Sequence, residues 1–177
     1  MELFVIRHGE VDLNAKHLLN GRNDSSLTEK GINQARSASE TIKELPIDVI
    51  LCSPLKRTIQ TCEIINKNNI QVIYDDRVLE RNTNSVMYRP DSSINLIEFY
   101  SPNNDIIYHD CEGFKSILKR ASDFIEDIKQ KYKDKSVLVV SHLDFCKAMY
   151  CCLKNEYDIN KIISFNQDNC EICKYIL

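Results

Sequence analysis

The chain has 177 residues, of which 28% are charged and 43% apolar; this is the balance of one globular domain and excludes a largely disordered, fibrous or membrane-embedded chain. A net charge of −3 gives no support to a general binder of nucleic acid or anionic membrane, so any anion site must be local. Four glycines, Gly9, Gly21, Gly31 and Gly113, are too few and too dispersed for a dinucleotide fingerprint or a Walker-type phosphate loop.

The first apolar run, Leu3 to Ile6, is continuous, as in a strand buried on both faces, and leads into Arg7-His8-Gly9-Glu10. Helical spacing follows at Ile32, Ala35, Ala38, Ile42 and Leu45, opened by Leu27-Thr28-Glu29-Lys30-Gly31 with Thr28 as the N-cap. A second buried strand, Val49 to Cys52, runs into Ser53-Pro54-Leu55-Lys56-Arg57. A helix follows through Leu55, Ile59, Cys62 and Ile65, with Pro54 suited to its first turn. Ile70 to Tyr74 predicts a shorter strand ahead of Asp76-Arg77-Val78-Leu79-Glu80-Arg81. Residues 82 to 110 are irregular, either a substrate-facing flap or a surface excursion. Phe114, Ile117, Leu118, Ala121, Phe124, Ile125 and Ile128 mark a long amphipathic helix, with Glu112 and Arg120 as structural residues on a helix of residues 112 to 132. A third continuous strand, Val137 to Val140, precedes Ser141-His142, and Cys170 to Leu177 predicts a last strand.

Strand alternating with helix predicts an α/β domain: a three-layer α/β/α sandwich with a mostly parallel central sheet, residues 1–177 forming a single domain. Ligands of such sheets bind beyond the carboxyl ends of the strands. Two histidines, two or three arginines and a glutamate should therefore converge at one rim, as an oxyanion site with a nucleophile candidate. The absence of a charged-then-apolar leader predicts a cytoplasmic protein whose eight cysteines are reduced and mostly core residues. Cys170 and Cys173 form a single C-x-x-C without a second pair, so no zinc site is expected, and Cys151 and Cys152 read as buried apolar side chains. No apolar stretch is long enough for a membrane span.

These residues resemble the histidine phosphatase superfamily, the phosphoglycerate mutase-like proteins. The likeness runs in order through Arg7-His8-Gly9-Glu10, Asn14, Gly21 to Asp24, Leu27-Thr28, Gly31, Gln34-Ala35, Ser53-Pro54-Leu55, Arg57, Glu80-Arg81, Glu112, Arg120 and Ser141-His142. The resemblance implies that His8 is a nucleophile forming a phosphohistidine, neutral because Arg7 and Arg57 disfavour its charged form. It implies that Arg7, Arg57 and His142 hold the phosphoryl oxygens and that Glu80 is general acid and then base. Asn14 matches a phosphoryl contact, Arg81 a position that helps to hold a substrate's anionic group, and Leu143 borders the substrate. Glu10 fixes the loop, and His17 and His109 match no motif, although His109 could border the pocket.

The pattern departs at Leu143 and Asp144, where glycine is common, at Asn82 to Val86, at Ser26 and at Gly113; a carboxylate at 144 should narrow the anion site and repel charge. Only 31 residues, 81 to 111, separate Glu80 from Glu112, a short cap that favours hydrolysis over transfer to a second hydroxyl. The expected function is a phosphatase acting on a small phosphorylated metabolite without metal or cofactor, of the α-ribazole-5′-phosphate or broad-specificity kind. A phosphoglycerate mutase, a non-catalytic phosphate-binding module and a metallohydrolase using His8 and His142 are the alternatives.

Overall fold

The structure, a computed structural model, describes residues 1–102 and 108–177. Its centre is a five-stranded sheet of β1 (Glu2–Arg7), β2 (Val49–Cys52), β3 (Val72–Tyr74), β4 (Ser136–Ser141) and β5 (Ile172–Ile176), in the order β3-β2-β4-β1-β5. β1 to β4 are mutually parallel, and β5 closes the edge antiparallel to β1.

Alternation along the strands divides the core in two. Leu3, Val5, Val49, Leu51, Val137 and Val139 face one layer of helices, which includes α5 (Phe114–Lys131) and α6 (Leu143–Lys154). Phe4, Ile6, Ile50, Cys52, Leu138 and Val140 face α2 (Glu29–Ile42) and α3 (Lys56–Ile65). Both faces of the sheet are covered at its centre, so Leu3–Ile6, Val49–Cys52 and Val137–Val140 are apolar without interruption, whereas the edge strand β5 carries Lys174. Six of the cysteines are buried, Cys152 and Cys173 are partly so, and all eight are free thiols.

Most predicted boundaries hold. Thr28 caps α2 by accepting a hydrogen bond from the Gly31 amide at 3.0 Å. Three differ. Pro54 precedes α3, whose N-cap is Leu55, and the first turn is capped from outside by Asp24, which accepts from the Lys56 amide at 3.0 Å. β3 begins at Val72, because Asn66 ties off the preceding turn through both the amide and the carbonyl of Ile70. Glu112 lies ahead of α5, its side chain engaged by Arg120, Arg22 and the Asn82 amide. Short elements fill the remainder: α1 (Asp12–Ala15), α4 (Leu96–Phe99), α7 (Ile159–Ser164) and 3-10 turns at Asp76–Val78, Asn84–Val86 and Asp91–Ser93. Part of the expected flap, 103–107, is outside the described residues. Among the described residues, no helix is long and apolar enough to cross a membrane.

Parallel pairing brings the carboxyl ends of β1, β2 and β4 to one rim, and the hydrogen-bond ladder continues past the strands: His8 N donates to Ser141 O and Ser53 N to Val140 O, both at 3.0 Å. Ser141 Oγ donates to Val78 O at 2.7 Å, tying the segment after β3 to the same rim. The register of these strands therefore depends on the packing that holds α5 and α6 against them. Phe124, fully buried in an edge-to-face contact with Phe145, is central to that layer. Phe124→Ala should lower unfolding free energy by about 3–5 kcal/mol, read from the shift of the urea midpoint at constant m-value.

Candidate active site

The loop after β1 presents His8, which is 2% exposed. Its Nδ1 is 2.7 Å from the Gly9 carbonyl, which can only accept, so Nδ1 carries the proton. Its Nε2 is 3.2 Å from Arg57 Nε, which can only donate, so Nε2 carries a lone pair. The two bonds select one neutral tautomer. Burial, with the charges of Arg57 and Arg7 added to it, holds the His8 pKa well below the usual histidine value. The loop itself is fixed by Gly9 N donating to Thr61 Oγ1 at 3.0 Å and by Asn169 Nδ2 donating to His8 O at 2.8 Å.

Arg57, on the first turn of α3, has no exposed surface. Besides His8, its donors reach Gly21 O at 2.8 Å and Asn23 O at 2.7 Å. Burial brings its pKa down to about 10, which leaves the guanidinium charged at neutral pH. Gly21 has φ +51, and a side chain there would collide with Thr83, so glycine is what lets this carbonyl meet Arg57. Arg7 donates to Gln167 O at 2.9 Å, and its Nε is buried without a partner among the described residues.

His142, the N-cap residue of α6, is fully buried with its ring centroid 5.2 Å from that of His8. Its Nε2 pairs with Ser53 Oγ at 2.7 Å, and Nδ1 has no partner among the described residues. Burial and the Arg57 charge lower its pKa as well.

Glu80 hangs at the end of a braced segment. Arg120 donates to the carbonyls of Arg77 and Leu79, both at 2.7 Å, while also binding both oxygens of Glu112. Arg22 in turn links Glu80 O, at 2.9 Å, with Glu112, at 3.1 Å. Burial, followed by the charge of Asp144, pushes the Glu80 pKa up to about 7, against the pull of Arg57.

Arg7, His8, Asn14, Arg57, Glu80 and Leu143 line one cavity of about 290 Å³. The segment after Arg81 contributes Thr83, Asp91, Ile94, Leu96, Phe99 and Tyr100 to its wall. Arg81 does not reach this cavity: fully buried, it lies behind Phe99, with its guanidinium carbon 3.5 Å from that ring's centroid and Nε donating to Glu112 O. The flat guanidinium stacks on the aromatic face, which withdraws it from the anion-holding position expected of it. His142 touches the site through His8 and Ser53. His109 borders a separate depression with Arg22 and Glu112, and His17 lines an adjoining one that shares Arg7, Asn14 and Leu143 with the main cavity. Sequence reasoning missed Tyr100, Lys147, Gln167 and Asn169. The last two reach β1 because β5 folds back along it, and no local pattern signals that.

A neutral imidazole with an aimed lone pair, flanked by two guanidiniums at the carboxyl rim of a covered parallel sheet, is an arrangement chemically able to hold an oxyanion beside a nucleophilic nitrogen. Residues 3–177 match the histidine phosphatase superfamily (branch 1). Phosphoserine phosphatase 1 of Hydrogenobacter thermophilus is 31% identical over 96% of this chain and 83% of that protein. The fold is like that of Entamoeba histolytica phosphoserine phosphatase in complex with 3-phosphoglyceric acid (TM-score 0.88, 24% identity, 99% and 90% of the two chains). It is also like that of a putative alpha-ribazole-5′-P phosphatase from Escherichia coli (TM-score 0.81, 24% identity, 98% and 89%). The chain belongs to the histidine phosphatase superfamily, branch 1, as a phosphatase of that family.

The raised Glu80 pKa has a thermodynamic consequence. Folded Glu80 keeps its proton up to about 7 and unfolded Glu80 loses it in the ordinary carboxylate range, so its ionisation weakens folding as pH rises through that window. Glu80→Gln should therefore raise stability over the parent by about 2 kcal/mol near pH 8 and by little near pH 5, as measured by denaturant unfolding at both values.

Proposed function

We propose that the protein hydrolyses a small phosphomonoester through a phosphohistidine on His8, without a metal ion. The observation that carries this reading is the pair of hydrogen bonds that leaves the lone pair of His8 on Nε2, the nitrogen beside Arg57.

In the first step the Nε2 lone pair attacks phosphorus, the ester P–O bond breaks, and the departing oxygen takes the proton of Glu80. Arg57 and Arg7 turn their donors to the phosphoryl oxygens, where the unpartnered Arg7 Nε and His142 Nδ1 supply further positions for contact, the latter as N–H. In the second step the Glu80 carboxylate takes a proton from water, the water oxygen attacks phosphorus, and the P–N bond breaks to return the lone pair to Nε2. Inorganic phosphate leaves, and Glu80 is again protonated. A pKa of about 7 suits a group that must give a proton and then take one near neutrality. Asn14 and Leu143 contact the substrate from the cavity wall. Two guanidiniums beside His8 disfavour a cation between the histidines, which argues against the metallohydrolase alternative.

For the substrate, the 31% identity to a phosphoserine phosphatase supports a phosphorylated amino acid above the α-ribazole phosphate first expected, because the likeness to the α-ribazole enzyme is one of fold.

Rapid quenching with 32P-labelled O-phosphoserine should trap acid-labile label on the parent and none on a folded His8→Ala; label persisting on that variant would overturn the assignment. Glu80→Gln should slow O-phosphoserine hydrolysis by about 10²-fold or more. The same variant should slow p-nitrophenyl phosphate, whose leaving group needs little protonation, by less than about tenfold. Equal losses would exclude Glu80 as the acid.

A further inference from the structure

The cavity carries charges of both signs. Its lining holds the cations Arg7 and Arg57 around His8, and elsewhere Asp91 and, on α6, Asp144 together with Lys147. Asp144 is 8% exposed, and one of its oxygens accepts from the Tyr100 hydroxyl at 2.9 Å. No other hydrogen bond to this carboxylate is found among the described residues, although it borders an open cavity.

Among the described residues no cation forms an ion pair with it, although Lys147 is close enough to feel its charge and Arg81 keeps Nη1 and Nη2 buried without a hydrogen-bond partner. Lys147, three residues on along α6, donates to Ile162 O at 2.7 Å and Ile163 O at 3.4 Å, with its ammonium 4.0 Å from the Tyr100 ring centroid. Arg81 is held behind Phe99. A nearly buried carboxylate with one neutral hydrogen bond is unfavourable until a cation joins it. The anion of the ligand is already provided for by Arg7 and Arg57, so Asp144 calls for a cation on the same molecule.

We propose that Asp144 is a specificity residue that holds an ammonium group on the leaving-group side of the substrate, so that the site selects zwitterionic phosphomonoesters over anionic or neutral ones of equal size. This rests on the phosphatase reading above and deepens it. The same placement explains why a carboxylate is tolerated beside an anion site: it faces the far end of the substrate. Its charge also favours the protonated form of Glu80.

The test uses a pair of ligands that differ at one group. O-phosphoserine and 3-phosphoglycerate share phosphate, carboxylate and a primary leaving oxygen, and differ by ammonium against hydroxyl. The parent should show kcat/KM at least tenfold higher for O-phosphoserine, and Asp144→Asn should reduce that ratio at least tenfold, chiefly through KM. Because both substrates depend on Glu80 alike, any effect of the substitution on the acid cancels in the ratio. Calorimetric binding of the same pair to His8→Ala, alone and combined with Asp144→Asn, reads the preference without turnover. A preference that survives Asp144→Asn, or a parent that favours 3-phosphoglycerate, overturns the proposal. If the asparagine variant does not fold, the parent alone decides by its preference for O-phosphoethanolamine over propyl phosphate. Absence of phosphate release from every compound, p-nitrophenyl phosphate included, counts against the phosphatase reading, while the binding ratio still decides the role of Asp144.

Discussion

The chemistry of this protein depends on a guanidinium with no exposed surface. Burying Arg57 is costly unless its donors are met, and they are met by carbonyls of Gly21 and Asn23 and by the imidazole of His8. The partners come from two parts of the chain, the loop before α2 and the end of β1, and the start of α3 joins them. Meeting the needs of one side chain thus closes the site. The constraint reaches Gly21, which must adopt a left-handed conformation to present its carbonyl, and Asp24, which caps the helix that carries Arg57.

The same buried charge sets the ionisation of its neighbours. Next to Arg57 and Arg7, out of water, an imidazolium is strongly disfavoured, so His8 and His142 are both held neutral. Glu80 feels the opposite balance: burial and Asp144 outweigh the attraction of the arginines, and the carboxyl keeps its proton to about neutral pH. Two kinds of group, each uncharged in the resting site for its own reason, are thereby placed beside the cations of the cavity. The same cavity is lined by Asp144, so its cationic and acidic groups face one space.

Much of this was legible before any coordinates. Continuous apolar runs marked β1, β2 and β4, because a sheet covered on both faces leaves no position for polar residues in its central strands. What followed each run marked the rim, since parallel strands share one carboxyl edge. Residues beyond the strands were harder to read. Arg81 follows Glu80 directly, and nothing local shows that its side chain turns away from the cavity to stack on Phe99, eighteen residues later. Tyr100 meets Asp144 and Lys147 only because the segment after Arg81 lies across the N-terminal half of α6.

The sequence by itself determined the fold class, the family and the set of chemical groups at the rim, because periodicity and order along the chain are local properties. Tertiary structure alone decided their ionic states and directions: which imidazole nitrogen holds the lone pair, that the Glu80 pKa rises to about 7, and that Asp144 borders the cavity with one hydrogen bond among the described residues. Those properties follow from burial and from distances between residues far apart in the chain. A linear pattern does not encode either quantity.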